Sequence, residues 1–274
     1  DQIAVGQRRP PAGRRFWDSP FNRRTRPPRP VVCTLSWLPD SGGFRVFFNR
    51  DERLTRAPAI APRIHEIGGV RFLAPVDGDF GGTWIGVNEH GVAMALLNRY
   101  QDRPRQGRSG QISRGLLVPD LLGLVDQQAI EHHLGALTRH SYSPFTIGVV
   151  EDRRGVAIGD WDGRRLVWTR HAAAGLVRTS SGHDQETAER TRTAAFETLA
   201  GGSVSAPLLR RFHRSHLPGR GAASTCMHRS DAATQSYTEV RVTRTAATVR
   251  YHPRPPCERH PMEVHRLTLR PGSR

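Results

Sequence analysis

Cys33 lies in an apolar run, VVCTLSWL, and a second apolar run, FRVFF, leads straight into Asn49, Arg50, Asp51 and Glu52. A thiol becomes a nucleophile when a base or a positive field stabilises its thiolate. Arg50 could supply that field, and Asp51 or Glu52 could orient hydrogen-bond donors. Further on, the run GVAMALLN ends in Asn98, a side-chain amide placed as an oxyanion donor would be. On the local sequence alone the plainer reading is stronger. A salt-bridged strand end beside a buried cysteine, with a turn asparagine elsewhere, accounts for the same residues.

The elements that would position these groups follow from period and turn chemistry. Strands are expected at Val31–Trp37 and Phe44–Asn49, joined by the hairpin turn LPDSGG. The hairpin returns the chain beside Cys33. Alternation puts Asn49 and Asp51 on one face, Arg50 and Glu52 on the other. Further strands are expected near Val70–Leu73, at Thr83–Asn88, Val92–Leu97, Phe145–Val150, Gly155–Asp160 and Leu166–Thr169. The stretches STCMHR, QSYTEVRV and AATVRYH read as three closing strands. Ser113 is placed to cap a helix through RGLLVPDLLGLV, weakened by Pro119. Further helices are expected over QQAIEHHLGALTRH and DQETAERTRTAAFETLA. Hairpins with helices in blocks indicate an α+β layered fold rather than alternating βαβ units.

The chain has 274 residues and a formal net charge of +16. All 41 basic residues are arginine, and they are spread along the whole sequence. That pattern reads as base composition of the coding DNA, so no nucleic-acid partner is inferred from it. No run reaches the roughly 18 apolar residues of a membrane span, and no signal peptide is recognisable. Three cysteines, at 33, 226 and 257, do not make a disulfide framework, which points to the cytoplasm. Residues 1–31 alternate arginine and proline without an apolar period and are expected to be disordered. The folded domain is expected over 32–252, with a peripheral tail at 253–274.

CTLSW, FFNRDE, RAPA, GGTWIGVNEHGVAMALLNRY, SRGLLV and CMHRSDAATQSYTEV together resemble the NRDE family, that of transport and Golgi organisation protein 2, in its bacterial branch. The resemblance runs from about Cys33 to His252. It implies a four-layer αββα fold of the N-terminal-nucleophile hydrolase type. NEHGVAMALLN is similar to the matching turn and strand of bile salt hydrolases and penicillin V acylases, which implies an oxyanion role for Asn98. Those enzymes carry an Arg and an Asp three residues apart. Here Arg50 and Asp51 are adjacent, and equal spacing from the cysteine falls on Asn49 and Glu52 instead. The implied catalytic set is Cys33, Arg50, Asp51 and Asn98, with Asn49, Glu52 and Trp84 binding substrate. Ser180 and Ser181 stand where many relatives have a Ser-Asn pair, and the second arginine of such sites has no match.

In such hydrolases the nucleophile is the first residue of the mature chain. Its α-amine, with a pKa of about 7.7–8.0, takes the thiol proton, so no histidine base is needed. The residues ahead of Cys33 then read either as a propeptide or as sequence ahead of a true start at Val32. The implied reaction is hydrolysis or acyl transfer at an acyl-amide bond, with no cofactor. A competing class is a carrier, because eukaryotic relatives are associated with haem movement and with lipid or acyl-CoA metabolism. Haem would then be a ligand, with Cys33 in reach of its iron. No metal site is expected. His252, Cys257, His260 and His265 match no zinc spacing, and Cys226 with His228 reads as core packing.

Overall fold

The computed structural model describes residues 33–99, 112–137, 142–171, 176–179 and 185–271. The arginine- and proline-rich segment and Ser180–Ser181 lie outside them.

The first sheet contains β1 (Thr34–Asp40), β2 (Gly43–Arg53), β10 (Leu176–Thr179), β11 (Ala232–Val242), β12 (Ala246–His252) and β13 (Glu263–Thr268), in the order β10-β1-β2-β11-β12-β13. The second holds β3 (Ile60–Ile67), β4 (Val70–Val76), β5 (Ile85–Asn88), β6 (Ala93–Asn98), β7 (Phe145–Glu151), β8 (Gly155–Trp161) and β9 (Leu166–His171) in sequence order. All strand pairs are antiparallel, as hairpin connections require.

Three apolar cores show how the layers stack. Leu35, Trp37, Val46 and Phe48 of the first sheet pack against Ile85, Val87, Ala95 and Leu97 of the second. The outer face of the second sheet, with Met94, Leu96 and Ile147, is covered by Leu117, Leu121, Ile130 and Leu134. These come from α1 (Leu117–Leu122) and α2 (Gln127–Leu137). The outer face of the first sheet packs through Phe47 and Tyr237 on Leu209, with Phe196 alongside. Those two belong to α4 (Ala206–His213) and α3 (Gln185–Ala200). The result is the αββα sandwich expected from the sequence. The sheets approach closely at Gly148, where a Cβ would lie 2.7 Å from Leu35 Cδ2.

Some elements differ from expectation. STCMHR is not a strand: apart from a bridge between His228 and Ala233, it is a buried irregular loop tied to the end of α4 by the Cys226 N–H to the Ser215 carbonyl, 3.0 Å. Ser113 precedes a single 3₁₀ turn, and its side chain makes no capping bond. The tail drawn from residue 253 is not wholly peripheral, because β13 pairs with β12 and buries Leu267 and Leu269 in the central core. The helix α4 was not expected, although Ser205 caps it from an extended backbone and a proline sits in its first turn.

Candidate active site

Cys33 immediately precedes β1. The β1–β2 ladder pairs Thr34 with Asn49, so the next step sets Cys33 opposite Arg50. Residues directly opposite in a sheet share a face. Cys33 and Arg50 therefore both look into the space between the sheets, where Cys33 packs in the central core with Trp84. The thiol donates to the Asp51 carbonyl oxygen at 3.8 Å. Burial, reinforced by the Asp51 carboxylate, pushes the Cys33 thiol up to about 12. A thiol held this way is neutral near pH 7 and needs a base within reach to react.

The expected alternation along Asn49–Glu52 is present, and it divides the run into two jobs. Arg50 lies over Trp84, 4.4 Å from guanidinium carbon to ring centroid, and donates to Asp77 Oδ2 at 2.6 Å. Glu52 Oε2 sits 3.6 Å from Arg50 and 3.7 Å from Arg56, on the same side. Trp84 Nε1 is buried, with no hydrogen-bond partner among the described residues. Arg50 also borders a cavity of about 680 Å³, shared with Arg56, Arg229, Arg254 and His228.

Asn49 and Asp51 point the other way, under the α3–α4 layer. Asn49 donates to the His213 and Thr225 carbonyls at 2.9 and 2.8 Å, and its Oδ1 lies 2.9 Å from His213 Nδ1. It is fully buried and saturated by protein, so it braces the sheet against α4 and does not face the cleft. Asp51 accepts from Thr234 Oγ1 at 2.6 Å and from Arg192 Nη2 at 3.4 Å. Burial raises its carboxyl to about 7 against the opposing pull of Arg192.

Arg192 is the site residue that sequence reasoning missed. It projects from α3, is fully buried, and donates to Thr34 Oγ1, to the Ser224 carbonyl at 2.7 Å and to the Ala223 carbonyl at 3.4 Å. It thereby ties the residue after Cys33, the Asp51 carboxylate and the loop before β11 into one network. The available signal was its phase: Ala188, Arg192 and Ala195 share the buried stripe of α3.

Asn98 closes β6. Ala93, Ala95 and Leu97 face the central core while Met94 and Leu96 face outward, so alternation carries the Asn98 side chain to the outer side. Leu96 donates its N–H to the Trp84 carbonyl at 2.8 Å, and Asn98, two residues on, directs its N–H to the same side. The GGTW and SRGLL segments meet behind this point: the Thr83 N–H donates to the Gly115 carbonyl at 2.9 Å. A Cβ on Gly82 would fall 2.5 Å from Gly115 backbone carbon.

The family model of Transport and Golgi organisation 2 matches residues 43–172, from β2 through β9. Over that span, just under half of the chain, the sequence is similar to the Transport and Golgi organisation 2 family. The match is narrower than the stretch over which the motifs were read, and it omits Cys33. No curated protein matches the chain. Among solved structures, a conjugated bile acid hydrolase from Clostridium perfringens, in a variant with a cysteine replaced by alanine, covers 88% of this chain. The alignment takes in 97% of that hydrolase at 11% identity and a TM-score of 0.51. The Caenorhabditis elegans ortholog of N-acylethanolamine-hydrolyzing acid amidase aligns over 76% of this chain and 91% of its own, at 13% identity and a TM-score of 0.51. The fold is therefore N-terminal-nucleophile hydrolase-like. No described helix is long and apolar enough to cross a membrane.

His213 offers a test of the network under Cys33. It is fully buried between Asn49 and Ser36, whose Oγ is 2.8 Å from Nε2, and burial holds its ring down at about 3. The unfolded chain takes up a proton near pH 6.5 that the folded site refuses, so His213 costs stability as pH falls from about 6.5 towards 3. Asp51 acts in the opposite sense, its raised carboxyl favouring the fold as pH falls from about 7 towards 4. Only a variant separates the two. His213→Gln is expected to be less stable than wild type at pH 7, with the deficit shrinking by roughly 1.4 kcal/mol per pH unit below pH 6. Urea unfolding at pH 7 and pH 5 measures it, and an unchanged deficit would mean that the folded site accepts the proton.

Proposed function

We propose that this chain is a cytoplasmic cysteine N-terminal-nucleophile amidohydrolase or acyltransferase that works with Cys33 as its first residue. The observation that carries this reading is the placement of Cys33: it opens β1 beside Arg50 and Trp84 in the cleft, in a fold shared with two amide hydrolases. The Cys33 α-amine accepts the thiol proton as Sγ attacks the acyl carbonyl carbon. The Asn98 backbone N–H and a second donor hold the oxyanion. The carbon–nitrogen bond then breaks, and the α-ammonium gives its proton to the departing amine. Water attacks the thioester with the α-amine again as base, releasing the carboxylic acid and restoring the thiol. An acyltransferase uses an acceptor amine in place of water.

Arg50 and Glu52 orient the substrate from the cleft face, and the unsatisfied Trp84 Nε1 offers a donor. Asp51 and Arg192 position Cys33 from behind. The arginines bordering the cavity, Arg50, Arg56, Arg229 and Arg254, are each paired with a carboxylate, so the cavity suits a polar acyl amide without requiring that it carry a charge. The test is turnover by a chain beginning at Cys33 on a panel of N-acyl amino acids and neutral N-acyl amides, beside a haem titration followed at the Soret band. Hydrolysis of at least one amide, lost in Cys33→Ala, supports the proposal. Haem binding lost in Cys33→Ala, with no turnover on any amide, would favour the carrier instead.

A further inference from the structure

Four metal-ligating side chains from separate stretches of the chain, none of them in the catalytic set, meet at one place. His216 follows α4, Cys226 and His228 lie in the loop before β11, and Cys257 lies in the turn after β12. Their ligand atoms all fall within 4.8 Å of one another. His228 Nε2 is 3.6 Å from Cys226 Sγ and 3.4 Å from Cys257 Sγ. Tetrahedral zinc, at about 2.3 Å from sulfur and about 2.0–2.1 Å from imidazole nitrogen, holds sulfur and nitrogen roughly 3.5 Å apart. The observed gaps are the edges of such a tetrahedron.

The histidines fit the same reading. His216 Nε2 is buried, with no hydrogen-bond partner among the described residues. The His216 and His228 rings meet edge-on, centroids 5.1 Å apart at 63°, so they converge on a point and do not stack. A disulfide between Cys226 and Cys257 would use the two sulfurs and leave this convergence without a cause. A two-iron cluster with mixed ligands places its histidines on one iron and its cysteines on the other, whereas His228 here touches both sulfurs. We propose that His216, Cys226, His228 and Cys257 bind one zinc ion in a closed, structural site. The two thiols release their protons to solvent on binding, giving a site of no net charge. With zinc on Nε2, His228 keeps its proton on Nδ1. The exposed Arg220, whose Nη2 lies 3.3 Å from that nitrogen, then turns to solvent.

The site has a purpose within the fold. The loop carrying Cys226 and His228 has almost no regular structure, yet Ser224, Thr225, Cys226 and Met227 are fully buried. Its Ser224 carbonyl receives Arg192 and its Thr225 carbonyl receives Asn49. Zinc would fasten this loop to the end of α4 and to the turn after β12, and so fix the carbonyls beneath the cysteine site.

The experiment uses the full chain without a histidine tag, purified under reducing conditions, gel-filtered and assayed for metal by mass spectrometry. About one zinc per chain is expected, retained in Cys33→Ser and lost in Cys257→Ser and in His216→Ala. Cobalt added to the metal-free wild-type protein should give the visible bands of a tetrahedral ion with sulfur-to-cobalt charge transfer. That spectrum keeps the proposal testable if the variants fail to fold. A reduced wild-type chain that takes up neither metal would overturn the assignment. So would zinc bound undiminished in folded Cys257→Ser and His216→Ala, or a cobalt spectrum without thiolate charge transfer.

Discussion

One glycine placed ahead of Cys33 is expected to lower acyl-amide turnover by about 10²–10⁴-fold while leaving the fold intact, which is the range a lost general base removes. The insertion does not touch the thiol. It converts the amine that receives the proton into a peptide N–H. The Cys33 environment makes the loss large, because a thiol pushed up to about 12 by burial cannot supply thiolate unaided near neutral pH. Cys33→Ala should abolish turnover, and Cys33→Ser should leave a weaker nucleophile. The measurement is kcat/KM for each form, with circular dichroism confirming the fold. A Gly-extended chain as active as one starting at Cys33 would show that the α-amine is not the base.

Arg192→Met is expected to cost about 3–5 kcal/mol in urea unfolding, the range found when one partner of a buried ion pair is removed. Four interactions go at once: Asp51, Thr34 and the Ser224 carbonyl each lose a buried donor, and the part-buried Ala223 carbonyl loses one as well. The double variant Arg192→Met/Asp51→Asn should cost less than the sum of the single changes, since the two groups share one network. Additive costs would mean that the 3.4 Å contact between Arg192 and Asp51 contributes little. Arg190→Met, on the exposed side of the same helix, should leave the midpoint unchanged.

Most strands were legible because a hairpin and a two-residue period carry their own geometry, but β3, β10 and β13 were not expected. LPDSGG returned the chain to Cys33, and alternation alone separated Arg50 and Glu52 from Asn49 and Asp51. What the alternation served was not legible. Asn49 looked like a substrate ligand until His213 and Thr225, 164 and 176 residues away, were found to saturate it. Arg192 hid in a helix whose polar composition suggested a solvated face. Of the quartet His216, Cys226, His228 and Cys257, Cys257 was grouped with the C-terminal histidines, Cys226 with His228 was read as core packing and His216 went unnoticed, because the spacing follows no compact motif and only the packing of β12 beside β11 brings Cys257 to the loop. Asn98 was recognised by its place at a strand end. Alternation along β6 carries its side chain to the outer side of the sheet.

The proposed mechanism requires that Cys33 carry a free amine in the working protein. Intact mass and N-terminal sequencing of the protein made by its native host decide this most directly. The expected result is a mature chain whose first residue is Cys33. A native, active chain that keeps residue 32 joined to Cys33 by a peptide bond would contradict it.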